Sequence, residues 1–233
     1  RAKPIRGADG FLDTVVAADG ARTSFDIAGP MHLVQSITDP GGDVTRFEFD
    51  AKGNLLSTLL PDGAESSLEY DAPGRVVAST NANGERVTFS FNAAGLVTAR
   101  MFSDGGTVAF TYDAHRNLLT ATDSEGATTY TYDAADRVTS VSYPNGKSVA
   151  ITYDAAGRRQ TVADQAGYTV RYSYDALGRL DEVRDAANAL LVDYTHDATG
   201  RLTTETRGNG SAVSYTYTAV GTIATITHRD AAS

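Results

Sequence analysis

Aspartates recur at 50, 71, 113, 133, 154, 175 and 197, each directly behind an aromatic residue or a histidine. Carboxylates beside tyrosines invite an acid–base reading. That chemistry needs two groups whose surroundings push their pKa values apart, and copies of one position share one environment. The histidines, at 32, 115, 196 and 228, fall at no metal-binding spacing such as H-E-x-x-H. His196 stands where related segments carry Tyr or Phe and reads as an aromatic substitute, and His115 reads as solvated. Asn81-x-Asn83-Gly84 and Asp123-x-Glu125-Gly126 are oxygen-rich, yet they fall short of the six or more oxygens calcium takes. The chain has no cysteine, which removes thiolate ligands and disulfides. No nucleophile elbow, P-loop or dinucleotide fingerprint is present, and Gly208-Asn209-Gly210 reads as a turn. The residues predict no catalytic, cofactor or metal site, and no enzyme.

What the recurring residues do predict is a period. YDAAGRR at 153–159 returns as YDALGRL at 174–180, YDAPGRV at 70–76 and HDATGRL at 196–202. Weaker copies complete a series led by residues 25, 49, 70, 91, 112, 132, 153, 174, 196 and 217. The steps are 24, 21, 21, 21, 20, 21, 21, 22 and 21 residues, and a decayed copy at Arg6 keeps Ala8, Gly10 and Leu12. Self-similarity at such a period marks a repeat architecture. The expected organisation is one array of about ten repeats over residues 1–233.

A second turn signal lies midway in each repeat, as at Pro61-Asp62-Gly63, Asn83-Gly84, Asn145-Gly146 and Ala187-Asn188. Two turns per repeat separate two short apolar-alternating runs, which is one hairpin plus its link to the next. Val149/Ile151/Tyr153 and Val170/Tyr172/Tyr174 alternate with small or polar residues, so the large side chains share one face. After the turn the step changes to three, as in Val138 and Val141, and reads as a strand carrying a bulge. Some twenty short strands exceed what an open twisted sheet usually holds without curling. The predicted fold is therefore all-β, one long, strongly curved or spiralling antiparallel sheet; alternation alone does not say which face is concave.

The turn residues carry the structural motif: Tyr70, Asp71, Gly74 and Arg75; Tyr153, Asp154, Gly157 and Arg158; Tyr174, Asp175, Gly178 and Arg179. Asp opens a type I turn by accepting backbone N–H bonds, and Gly supplies the positive φ that closes it. Asp136 and Arg116 replace that Gly in two copies, the latter beside Asn117. The following Arg is expected to pair with the Asp of its own or a neighbouring turn. The aromatic stripe reads as contact area between hairpins. A sharper reading makes Tyr172 and Tyr174 a stacking site for glycans.

Composition sets outer bounds. With 233 residues, 41% hydrophobic and 21% charged, the chain falls in the globular range and is long enough to bury a core. A net charge of −9 without a basic stripe disfavours nucleic acid. No apolar run approaches the ~18 residues of a membrane span.

The Y-D-A-x-G-R-L string at a period near 21 resembles the YD repeats of the RHS family, over residues 6 to about 226. That family includes bacterial polymorphic toxins, shell subunits of toxin complexes and animal teneurins. The resemblance implies hairpins laid side by side into a spiralling hollow shell that encloses a hazardous polypeptide carrying the chemistry. The implied role is a non-catalytic shell segment of an exported protein, secreted or at the cell surface. Its partners would be the rest of a longer chain or an enclosed toxin, with self-association through sheet edges and adhesion to surface glycans as alternatives. The family's core domain with its DPxG-type signature does not follow here; Asp39-Pro40-Gly41-Gly42 sits in an ordinary connecting turn. The sequence opens at Arg1-Ala2-Lys3-Pro4 and reaches a further connecting turn near His228-Arg229-Asp230, so a piece of a longer array, or capping end copies, is expected.

Overall fold

The computed structural model describes residues 2–8 and 10–231; Arg1, Asp9, Ala232 and Ser233 lie outside the described residues. The fold is all-β, with 22 antiparallel strands assigned to one open sheet and no helix among the described residues. Two compact units divide the chain, Arg1–Phe110 and Thr111–Ser233.

The first unit holds β1 (Lys3–Arg6), β2 (Leu12–Val16), β3 (Arg22–Ala28), β4 (Leu33–Thr38) and β5 (Val44–Phe49). It continues with β6 (Leu55–Leu59), β7 (Glu65–Tyr70), β8 (Val76–Thr80), β9 (Arg86–Phe91), β10 (Val97–Phe102) and most of β11 (Thr107–Tyr112). The second unit holds β12 (Leu118–Asp123), β13 (Gly126–Tyr132), β14 (Val138–Ser142), β15 (Ser148–Tyr153), β16 (Arg159–Asp164) and β17 (Thr169–Tyr174). β18 (Leu180–Asp185), β19 (Leu190–His196), β20 (Leu202–Arg207), β21 (Ala212–Tyr217) and β22 (Ile223–Arg229) complete it. Within each unit every strand pairs with its sequence neighbour, as in β15–β16 and β16–β17.

Both turn types are built alike. In the motif turn Asp154 N–H donates to the Arg158 carbonyl (2.8 Å) and Gly157 N–H to the Asp154 carbonyl (2.9 Å). In the connecting turn Leu60 and Gly63 make the same pair of bonds. What separates them lies one step inward. Tyr153 pairs with Arg159 but Thr152 with Thr161, leaving Gln160 as an extra residue. Asp181, Thr203 and Ala224 are the corresponding extra residues of the next three hairpins. This bulge explains the three-residue step: Val138 faces Tyr132 and Val141 faces Tyr130 across the same pair of strands.

The irregular steps of the period also have local causes. The 20-residue repeat closes β12–β13 with Asp123 paired directly to Gly126, so its connecting turn has two residues instead of three. The 22-residue repeat puts its extra residue, Leu191, into a bulge where Val183 pairs with Val192 and Arg184 with Leu190.

The core that the composition allows does not form. The only buried apolar side chains among the described residues are Ala78 and Val213, and no large side chain is fully buried. A single pleated layer leaves each face half in water, so stability rests on cross-strand neighbours. On the face opposite the aromatics these are hydroxyl pairs, Thr152–Thr161 (2.6 Å) and Thr216–Thr225 (2.6 Å) among them.

Candidate functional site: an aspartate–arginine–aromatic ladder

The regular motif turns hold their aspartate by both carboxylate oxygens. Asp154 Oδ1 accepts the backbone N–H of Ala156 and of Arg158, both at 2.9 Å, and Oδ2 accepts Arg158 Nε at 2.8 Å and Nη2 at 2.7 Å. Asp133 with Arg137, Asp175 with Arg179 and Asp197 with Arg201 repeat this arrangement, and Asp71 with Arg75 does so without the first backbone bond, because Pro73 has no N–H to donate. The arginine thus pairs with its own turn. The bonds from its side chain and then its backbone N–H hold Asp154 below the usual carboxylate range, and Asp133 likewise. For Asp175 the Arg179 backbone bond leads; for Asp197 the Thr199 hydroxyl does. At Asp71 partial desolvation opposes the shift, and the bonds from Arg75 outweigh it.

Pinned in this way, the guanidinium reaches across to the next repeat. Arg137 lies over the ring of Tyr153 (4.4 Å to the centroid), Arg158 over Tyr174 (4.3 Å), Arg201 over Tyr217 (4.5 Å) and Arg75 over Phe91 (4.6 Å). A cation held over an aromatic face is attracted by the ring quadrupole. The tyrosine hydroxyl anchors the ring from the other end. Tyr153 donates to the Val138 carbonyl (2.8 Å), Tyr174 to Arg159 (2.9 Å) and Tyr70 to Leu55 (2.9 Å), each on the preceding repeat.

The glycine has a second duty beyond its φ of +82° at Gly157. A Cβ there would lie 3.1 Å from Arg137 Nη1, and one at Gly178 3.4 Å from Arg158 Nη1. The left-handed turn position therefore doubles as the floor on which the preceding arginine rests. Connecting-turn glycines such as Gly63 and Gly84 face open space.

Where the motif departs, the joint changes chemistry. Asn54 replaces the arginine in bonding Asp50 (2.8 Å), and Lys52 Nζ reaches the Ala72 carbonyl of the next turn (3.0 Å). With His196 in the ring position, Arg179 Nη1 donates to the Asp197 carbonyl (3.2 Å). At 113–137 the glycine position is Asp136 (φ 59°), and the residue facing it is Asn117, whose Nδ2 donates to Asp136 Oδ1 (2.7 Å). His115, expected as solvated, is exposed yet bonded through Nδ1 to the same carboxylate oxygen (2.8 Å). A side chain at the glycine position fits here because the arginine that would occupy its space is absent.

Tyr172 and Tyr174 both lie half-buried on β17, with Arg159 5.3 Å from the first ring and Arg158 over the second. One face of each ring is thus already taken by a guanidinium. No group of three or more potential metal ligands occurs among the described residues, and no helix of the described residues is long and apolar enough to cross a membrane. The bonded side chains form a ladder that joins hairpin to hairpin, and its chemistry is adhesion between neighbours. The sequence offered no sign that an arginine of one turn lies over the ring of the following repeat.

Residues 66–164 match the teneurin YD-shell family, and residues 32–65 and 153–190 match the RHS repeat. Among solved structures, the TcdB2-TccC3-Cdc42 crystal structure aligns with 92% of this chain at a TM-score of 0.72 and 17% identity. TcdB2-TccC3-TEV aligns with 98% at 0.65 and 14%, and a Photorhabdus luminescens Tc holotoxin pore with a mutated TccC3 aligns with 93% at 0.57 and 17%. This chain spans 13%, 16% and 14% of the length of those three chains, and at such identity the likeness is one of fold. A search of curated proteins gives no match.

Proposed function

We propose that this chain, whose repeats are those of the RHS and YD-shell families, is a non-catalytic wall segment of a longer exported array that encloses another polypeptide. The observation that carries this reading is the ladder, in which arginine–ring contacts at some joints and other polar bonds at the rest fasten one hairpin to the next. In the motif hairpins β5–β6, β7–β8, β13–β14, β15–β16, β17–β18, β19–β20 and β21–β22 a bulge always falls on the second strand, adding local twist and bend there. In β22, Ile223 and Ile226 pair with Tyr217 and Tyr215 and continue the apolar face of the array.

Protease challenge of the complete parent polypeptide tests the proposal. Sequence encoded beyond the array should survive in the intact protein and be digested once Arg137, Arg158 and Arg201 are replaced by alanine. Equal digestion of both forms contradicts enclosure.

A further inference from the structure

Four of the five motif-turn joints in the second unit are bridged by an arginine: Arg137, Arg158, Arg179 and Arg201. The joint between turns 113–117 and 133–137 is bridged instead by His115 and Asn117, which share one oxygen of Asp136. A guanidinium stays charged at every accessible pH, whereas an imidazole changes charge near neutrality.

We infer that this joint is a pH-sensitive link in the wall, firm while His115 is protonated and looser once it is neutral. The charged groups around the imidazole come from both turns. Its own turn supplies Asp113 and Arg116; the facing turn supplies Asp136, with Asp133 and Arg137 already committed to each other. The sequence-preceding turn, 92–96, contains no titratable side chain. The Asp136 bond, followed by the charges of Asp136 and Asp113, holds the His115 pKa above its ordinary value, and the His115 and Asn117 bonds hold Asp136 below its own. For a histidine raised on folding, the added stability is complete below the ordinary value near 6.5 and is lost as pH rises through the raised folded value. The Asn117–Asp136 bond persists on both sides, so the joint weakens without parting. Asp136 keeps its positive φ of 59° throughout.

Amide hydrogen exchange on the whole chain reads the joint directly, with rates corrected for intrinsic pH dependence and turns 154–158 and 175–179 as internal reference. Opening of 113–117 and 133–137 relative to the reference should rise by roughly two- to five-fold as His115 deprotonates, the scale of an exposed ion pair. The His115 titration followed by NMR should shift toward lower pH in Asp136→Asn. His115→Gln, and the double variant Asn117→Arg with Asp136→Gly that rebuilds the regular joint, should each abolish the pH dependence. An unchanged His115 titration in Asp136→Asn, or the same pH dependence in His115→Gln, overturns the inference.

Discussion

Arg158 is bonded to Asp154 in its own turn and lies 4.3 Å from the centre of the Tyr174 ring in the next. The two contacts work in series. The aspartate fixes where the guanidinium points, and the ring receives it, so the energy of one turn is used to place its neighbour. Because the tyrosine hydroxyl returns to the preceding strand at the Arg159 carbonyl, this joint is closed by two contacts running in opposite directions, as are those at Tyr153 and Tyr217. Nearest-neighbour coupling of this kind is what makes repeat proteins quasi-one-dimensional.

The turn glycines separate backbone strain from crowding. Gly157 and Gly84 have nearly equal φ, 82° and 81°, but only Gly157 underlies an arginine. Alanine at either position should cost stability through the positive φ. Gly157→Ala should cost more, because Arg137 must leave the Tyr153 ring to make room. In an Arg137→Ala background the two penalties should become equal, which urea denaturation midpoints will show.

Gly208 poses a different constraint. Its N–H donates to the Leu191 carbonyl (2.9 Å), and a Cβ would fall inside the van der Waals envelope of the Leu190 carbonyl oxygen. Gly208→Ala should therefore lower stability by about 1–3 kcal/mol, the range of overpacking at an unyielding site. Deleting Leu191 in the same chain, which removes the bulge, should recover part of that loss in a melting experiment.

Much of this was legible in the sequence, and the limits are instructive. The period, both turn types, the shared aromatic face and the bulge could be read because each depends on neighbours within a few positions. Gly208 read only as part of a turn because its constraint comes from an inserted residue 17 positions upstream, at Leu191. His115 and Asp136 looked like isolated departures, yet they compensate each other across a joint. The core that length and composition allow does not form for a simpler reason: composition counts apolar residues but does not say whether a second layer covers them.

Acid should weaken the ladder. Asp133, Asp154, Asp175 and Asp197 are held below the usual carboxylate range, so the unfolded chain takes up protons first. The stability they add is fully present above the ordinary value near 3.8 and is lost as pH falls through the lower folded values. The melting temperature should drop steeply below about pH 4, the usual carboxylate range. Asp154→Asn should be less stable at neutral pH and less sensitive to acid than the parent chain.

The most direct measurement of the ladder is a double-mutant cycle on Arg158 and Tyr174, read by chemical denaturation with Arg158→Ala, Tyr174→Leu and both together. A coupling of about 0.5–1 kcal/mol is predicted between these two residues of successive repeats. The same cycle on Arg158 and Tyr153, the aromatic leading its own turn, should give much less. No coupling between Arg158 and Tyr174, or a larger one within the repeat, would contradict an array fastened turn to following ring.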